Sequence, residues 1–287
     1  MNFRGGEIQN TTMQYKIICS DIDGTLLDKN RSLSEATIHE VKRIKDRVPF
    51  ILVSARMPAA MKYLQEALDI PSSPLICYNG ALVYVYNEAG GSPEILHSLP
   101  IDSDIPGELL QHTQDSEVHI SLYRFDEWFV PSMDYWARRE QNNTRVDPEV
   151  ADLHAVAARW ESEGIGPHKI MCMGPVDAIG PLEDFLRENY SDRLQIYRSK
   201  DTYIEVSSKS ISKASAIEKL LQNSYQLGLD AAMAFGDNYN DVEMLQLVGC
   251  GIAVANARPE ALEVADDTTL SNVEDGVAVA LRKYFPE

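Results

Sequence analysis

Apolar and polar positions follow two periods in the first and last parts of the chain. Tyr15-Lys16-Ile17-Ile18-Cys19, Pro49-Phe50-Ile51-Leu52-Val53 and Leu75-Ile76-Cys77-Tyr78 are short, nearly continuous apolar runs, the pattern of strands buried on both faces. Between them Ile38, Val41 and Ile44, and then Met61, Leu64 and Leu68, recur at helical spacing. The capping-box spacing of Ser32-Leu33-Ser34-Glu35 and the placement of Pro58 mark where these helices start. The rhythm returns at Tyr203-Ile204-Glu205-Val206. Ser212-Lys213 then opens a helix with Ile217, Leu220 and Leu221 on its buried face. A strand over Ala231–Phe235, a helix carrying Val242, Leu245 and Val248, and a last strand at Ile252-Ala253-Val254 follow. Further helices are predicted from Asn256–Glu260 and from Gly276. Alternating strands and helices with short links predict an α/β fold, a Rossmann-like doubly wound parallel sheet.

From about residue 84 the texture changes. Val83–Tyr86, Gly90-Gly91 and Glu94–Leu96 read as a hairpin. Strands are predicted near 117–123, 127–130, 168–173 and 194–197, with helices near 103–114, 133–142, 150–160 and 176–189. Residues 87–198 are therefore read as an inserted α+β domain between core segments 13–86 and 199–287, after a loose leader over 1–12. Trp128, Trp136 and Trp160 all fall in the insertion and are expected to build its own small core.

Composition changes this picture only by exclusion. No run of eighteen apolar residues exists, so no membrane span is expected. The N-terminus, Met1–Gln14, is polar without an apolar signal core, and the expectation is a cytoplasmic protein. Cys19, Cys77, Cys172 and Cys250 lie far apart in apolar surroundings and read as reduced core residues. The net charge of −18 argues against nucleic acid as a partner. It also means that any phosphate site must build its own local positive charge. Nothing in the sequence indicates an oligomeric state.

The candidate chemistry sits where strands end. Asp21 and Asp23 stand one residue apart after the first strand, and two such like charges are costly unless a cation lies between them or one is protonated. Mg2+ suits the position, because it binds one or two carboxylates and leaves places for phosphate oxygens and water. Ser54, Lys213 and Asp237/Asn240/Asp241 likewise follow strands or open helices. Each has a plainer reading: an Asp-Gly turn, a cap, a solvated lysine, a polar loop. A parallel sheet, however, would bring all four clusters to one edge, which favours a joint site.

Asp21-Ile22-Asp23-Gly24-Thr25-Leu26-Leu27, Ser54, Lys213 and Gly236-Asp237-Asn238-Tyr239-Asn240-Asp241 resemble the four motifs of the haloacid dehalogenase-like superfamily. Asn79-Gly80 before a long insertion and the closing stretch 251–276 resemble its Cof-type phosphatases in particular. Ser54-Ala55-Arg56 stands where the family often has Thr-Gly-Arg, and it keeps the hydroxyl. The resemblance covers about 15–86 and 200–285 and is weak through the insertion. It implies a Mg2+-dependent phosphatase of small phosphorylated metabolites, sugar phosphates or phosphorylated cofactors, working through an aspartyl-phosphate. Asp21 would be the nucleophile and Asp23 the acid and then the base. Mg2+ would be held by the Asp21 carboxylate, the Asp23 main-chain carbonyl and Asp237, with Asp241 behind them orienting water or Lys213. Ser54, Lys213, Asn240 and the amides of Ala55 and Ile22 would hold phosphate. The insertion would be a cap hinged near 84–88 and 198–203. Its polar residues Arg145, His168, Lys169 and Arg198 are each read as surface groups. Two other readings stand beside this one. One is a sugar phosphomutase of the phosphomannomutase kind, which would need a basic grip not evident in 87–198. The other is a metabolite-binding module without catalysis.

Overall fold

The computed structural model describes residues 15–87 and 92–287. The leader over 1–12 and the Gly90-Gly91 turn lie outside them. The described strands divide between two sheets.

The first part of the chain gives β1 (Ile17–Ser20), α1 (Glu35–Ile44), β2 (Phe50–Val53), α2 (Ala59–Leu68), β3 (Leu75–Cys77), β4 (Leu82–Val85) and β5 (Glu94–Ser98). The middle gives α3 (Ile105–Thr113), β6 (His119–Arg124), β7 (Glu127–Val130), α4 (Tyr135–Thr144), β8 (Glu149–Val150) and α5 (Leu153–Glu163), then β9 (Lys169–Met173), α6 (Val176–Tyr190), β10 (Leu194–Lys200) and β11 (Tyr203–Ser208). The last part gives α7 (Lys213–Leu220), β12 (Ala232–Gly236), α8 (Val242–Leu247), β13 (Cys250–Val254), α9 (Pro259–Val264), β14 (Asp267–Thr269) and α10 (Gly276–Tyr284).

The larger sheet runs β14-β13-β12-β1-β2-β3-β4-β5, and the smaller β10-β11-β9-β6-β7-β8. β1 pairs in parallel with both β12 and β2, so the order of the sheet reverses around it. Such a reversal opens a crevice at the carboxyl ends of the strands. Every residue of β1, β2, β3, β12 and β13 is buried, as their unbroken apolar runs require.

Four details differ from the sequence expectation, each for a local reason. Ser34, not Ser32, caps α1 by accepting from Thr37 N, because Ser32 N is committed to the Asp28 carboxylate. β5 pairs antiparallel with β4 inside the larger sheet, so the second arm of the predicted hairpin belongs to the core and not to the insertion. Residues 198–203 are no crossing point: they span the end of β10, the tight turn and the start of β11, which pair antiparallel inside the smaller sheet. The chain instead crosses near 99–101, where Leu99 N still bonds Ala81 O but Ile101 N bonds Pro167 O, and returns just before Ser212. β14 is an edge strand of polar composition that apolar periodicity could not reveal.

The insertion has its own core, with Trp160 at its centre among Leu109, Leu122, Phe129 and Ile170. Trp128 instead faces the larger unit and stacks on Tyr123 at 5.5 Å, while Trp136 meets Tyr203 edge-on. The β6–β7 turn is fastened to the larger unit. Asp126 accepts from Ala59 N, Tyr84 Oη and Tyr86 Oη, and Tyr78 Oη donates to Phe125 O at 2.7 Å. His168 completes the joint. Its Nδ1 accepts from Phe125 N, so Nε2 carries the proton and donates to Ser98 Oγ. No helix among the described residues is long and apolar enough to cross a membrane.

Candidate active site

Asp21 follows β1 directly and is held there by its amide, which bonds Phe235 O of β12. Lys213 is the first residue of α7, placed by a reciprocal Ser212–Ser215 cap. Gly80 lets that helix start approach the end of β3, since φ is +109° there and a Cβ would meet the Ser212 carbonyl. The Lys213 ammonium is fully buried, 2.5 Å from Asp21 Oδ1 and 2.6 Å from Asp241 Oδ1. Asp241 Oδ2 accepts from the amides of Asp237 and Asn238, both at 3.0 Å. Both Asp241 oxygens are thus engaged, in fixing Lys213 and in folding the loop after β12. Asp237 accepts from Thr25 Oγ1 at 2.9 Å. Gly24, at φ +91°, lies so close beneath Asp237 that a Cβ would strike its carboxylate.

One ammonium serves three carboxylates here. Burial pushes the Asp21 carboxyl well up, opposed by Lys213 and reinforced by Asp241 and Asp237. Asp237 is pushed up to about 6 by burial and by Asp241. Burial pulls the Lys213 ammonium down, but Asp21 and Asp241 outweigh it and hold the pKa above the usual value. Asp21 Oδ2 is buried with no hydrogen-bond partner. Oxygens of Asp21, Asp237 and Asp241 lie within 4.8 Å of one another. This donor set, all oxygen and short of positive charge, fits a hard divalent cation. With Asp241 already engaged, Asp21 and Asp237 are the side chains suited to hold one.

Asp23 is bound differently. Arg56 grips it with two bonds of 2.7 Å, and Arg31 adds a third at 3.0 Å. Burial would raise the Asp23 carboxyl, but the two guanidinium groups outweigh burial and hold it below the usual range. Asp23 therefore rests ionised. Ser54 is buried, with Oγ accepting from Arg56 N at 3.3 Å. Asn240 donates to Asn79 Oδ1 at 3.0 Å. Ile22 is fully buried, its carbonyl accepting from Leu26 and Leu27.

Asp21, Asp23, Ser54, Ala55, Asp237 and Asn240 line one cavity of about 390 Å³. Lys213 and Asn240 line an adjoining chamber of about 180 Å³, and Ile22 and Asp241 stand behind. Arg56, Arg31 and Asn79 share the main cavity and were missed as site residues. Arg56 and Asn79 were nevertheless visible as polar residues just after strands, whereas Arg31 carried no signal. Of the four polar residues picked from the insertion, His168 and Lys169 are buried rather than superficial. Only Lys169 lines the cavity. Arg145 covers the Tyr63 ring, and Arg198 pairs with Glu183 at 3.0 Å.

The smaller sheet forms the ceiling with Tyr123, Lys169, Tyr197, Tyr203 and Glu205, and α4 adds Arg139 and Glu140. Arg139 and Lys200 lie over the Tyr203 ring at 5.4 and 4.7 Å. In a chain with 44 acidic and 26 basic residues, the cavity wall is balanced. Asp21, Asp23, Glu140, Glu205 and Asp237 are matched by Arg31, Arg56, Arg139, Lys169 and Lys200.

A model of the haloacid dehalogenase-like hydrolases matches residues 18–281. The chain is 31% identical over 281 residues to a Haemophilus influenzae protein provisionally named a phosphatase, covering 96% of this chain and 100% of that one. It is 28% identical over 276 residues to YitU of Bacillus subtilis, named a 5-amino-6-(5-phospho-D-ribitylamino)uracil phosphatase, with 94% and 97% covered. A solved haloacid dehalogenase-like hydrolase from Bacteroides thetaiotaomicron superposes with a TM-score of 0.84 at 24% identity, covering 94% of this chain and 100% of that one. At that identity the likeness speaks for the fold.

Proposed function

The chain belongs to the haloacid dehalogenase-like hydrolase family and is a phosphatase of it; on that premise we propose that it hydrolyses small phosphorylated metabolites with Mg2+, through an aspartyl-phosphate on Asp21. The observation that carries the reading is the unpartnered Oδ2 of Asp21, buried at the cavity floor while Oδ1 is fixed by Lys213.

In the first half-reaction an Asp21 oxygen bonds to phosphorus and the bond from phosphorus to the ester oxygen breaks, with Asp23 passing to the departing alkoxide a proton that it has first taken from the monoanionic phosphate ester. In the second, Asp23 takes a proton from water, which attacks the same phosphorus, releases phosphate and restores the Asp21 carboxylate. Arg56 and Arg31 hold Asp23 ionised at rest, the form needed as base. The acid form must therefore be generated when substrate binds, by a proton that the ester brings. Charge in phosphoryl transfer spreads over the equatorial oxygens. Ser54, Lys213, Asn240 and the amides of Ala55 and Ile22 would receive it. Asp21, the Asp23 carbonyl and Asp237 would hold Mg2+, which when bound supplies charge neutralisation at those oxygens.

The smaller sheet acts as a cap that sets the leaving group. The balanced charge of the cavity offers no basic grip for a second phosphate, so a sugar phosphomutase is the weaker reading. The test is phosphate release from sugar phosphates, phosphorylated cofactors and the ribitylaminouracil phosphate that YitU is named for, with Mg2+ and with EDTA, beside Asp21→Asn. Metal-dependent release abolished in the variant is expected. No release of phosphate from any ester by folded protein would end the proposal.

A further inference from the structure

Lys169 opens β9 and is a buried cap cation that reaches into the core. Its Nζ donates to the Ala55 carbonyl at 3.1 Å, and lies 4.7 Å and 5.7 Å from the ring centres of Tyr123 and Tyr78. The residue is 8% exposed and lines both the main cavity and its side chamber. The neighbouring buried cations differ from it: Lys213 rests on Asp21 and Asp241, and Arg56 on Asp23. Among the described residues no carboxylate pairs with Lys169, and one of its three N–H donors has a hydrogen-bond acceptor. An ammonium that lines a cavity with no carboxylate beside it leaves donors for whatever fills that cavity. The counter-charge that the fold leaves out is one that a ligand can bring. The contact to Ala55 says where the charge would sit, since Ala55 and Ser54 form the turn after β2 that is proposed to hold phosphate.

We propose that Lys169 binds the phosphoryl end of the substrate. The anion is then held from the core by Ser54 and Lys213 and from the cap by Lys169, and it ties the two sheets together. This rests on the phosphatase reading. It requires the contribution of Lys169 to be the same whatever alcohol leaves. The same contact holds for inorganic phosphate, the product.

The experiment uses the full chain with Mg2+ and compares wild type with Lys169→Gln, Lys169→Met and Lys169→Arg. KM and kcat are measured for p-nitrophenyl phosphate and for a hexose phosphate, affinity for inorganic phosphate by calorimetry, and stability by thermal melting. Lys169→Gln is expected to raise KM for both esters by a common factor of roughly tenfold or more and to weaken phosphate by the same factor. The kcat should stay within about threefold, and Lys169→Arg should recover most of the loss. Unchanged KM and phosphate affinity would overturn the proposal, as would a KM change confined to one ester, which would place Lys169 on the leaving group. A lowered melting temperature with unchanged phosphate affinity would make it a mere tether between cap and core. Wild-type protein that hydrolyses neither these esters nor any other of the panel above would remove the proposed function itself. Calorimetry then still decides for Lys169: phosphate that binds equally to wild type and Lys169→Gln, or to neither, overturns it.

Discussion

The floor and the ceiling of the cavity treat their charges in opposite ways. On the floor nearly every polar atom is engaged by another: Lys213 between Asp21 and Asp241, Asp23 in the grip of Arg56 and Arg31, Asp241 on two amides. Asp21 Oδ2 is buried there without a partner. On the ceiling the Glu205 carboxylate has no hydrogen bond or ion pair among the described residues, and Arg139 and Lys200 rest on the face of Tyr203. A floor fixed in advance suits a step whose charge develops in the same place for every substrate. A ceiling left unsatisfied suits a leaving group that differs between substrates. On the proposed mechanism the contrast would separate where bonds change from where selection occurs.

The heaviest blow to that contrast is Lys213→Ala. It leaves Asp21 and Asp241 buried beside each other without a cation. A loss of stability of about 3–5 kcal/mol is expected, together with a fall in kcat of about 10³. Denaturant unfolding and steady-state kinetics measure the two; retention of both would show that the floor is not held by this lysine. Gly24→Ala ranks next. Its Cβ would press on Asp237 from a left-handed backbone position, so a destabilisation of about 1–3 kcal/mol is expected. The Mg2+ concentration for half-maximal activity should also rise, read from a metal titration.

A third effect concerns the joint that positions the ceiling. Burial, with Arg124 and His97 adding to it, lowers the His168 pKa to about 3. Below the unfolded value near 6.5, the unfolded chain takes up a proton that the folded imidazole refuses. Stability from this group is therefore complete above pH 6.5 and lost as pH falls below it. Between pH 7 and 5 that amounts to about 2 kcal/mol. The raised carboxyls of Asp21 and Asp237 act in the opposite sense, so the quantity to measure is the difference in pH slope between wild type and His168→Phe. Equal slopes would mean that His168 is protonated in place. Glu205→Gln should have the smallest effect: no change in folding, and rates across a panel of esters reordered by less than about tenfold. A uniform loss for all esters would move Glu205 from ceiling to floor.

The same division explains what could be read from the sequence. The floor is built at strand ends and helix starts, where β1, β2 and β12 announce themselves as apolar runs and Ser212 as a cap. Asp21, Asp23, Ser54, Lys213 and Asp237 were legible from that framework. Arg31 was not, because it reaches Asp23 from a loop whose path no periodicity fixes. In the ceiling, the strands and helices of the cap other than the two-residue β8 are legible within a few residues, but not the sheet to which each strand belongs. β5 and β11 carry the same alternation whichever neighbour they take, and that choice decides where the insertion begins and ends. Lys169 reads as a surface group in the sequence for a related reason. It starts a buried strand, and whether its side chain meets solvent or the core depends on how the two units are joined.

The central claim is a covalent phosphate on Asp21, and trapping it is the most direct test. During turnover of p-nitrophenyl phosphate with Mg2+, Asp23→Ala should release p-nitrophenol in a burst equal to the enzyme present and then stall, since the base that activates water is gone. Borohydride reduction of the stalled protein should convert residue 21, and no other, to homoserine in the peptide mass spectrum. Wild-type turnover with no homoserine at residue 21 in the stalled protein, or homoserine at another position, would contradict the account.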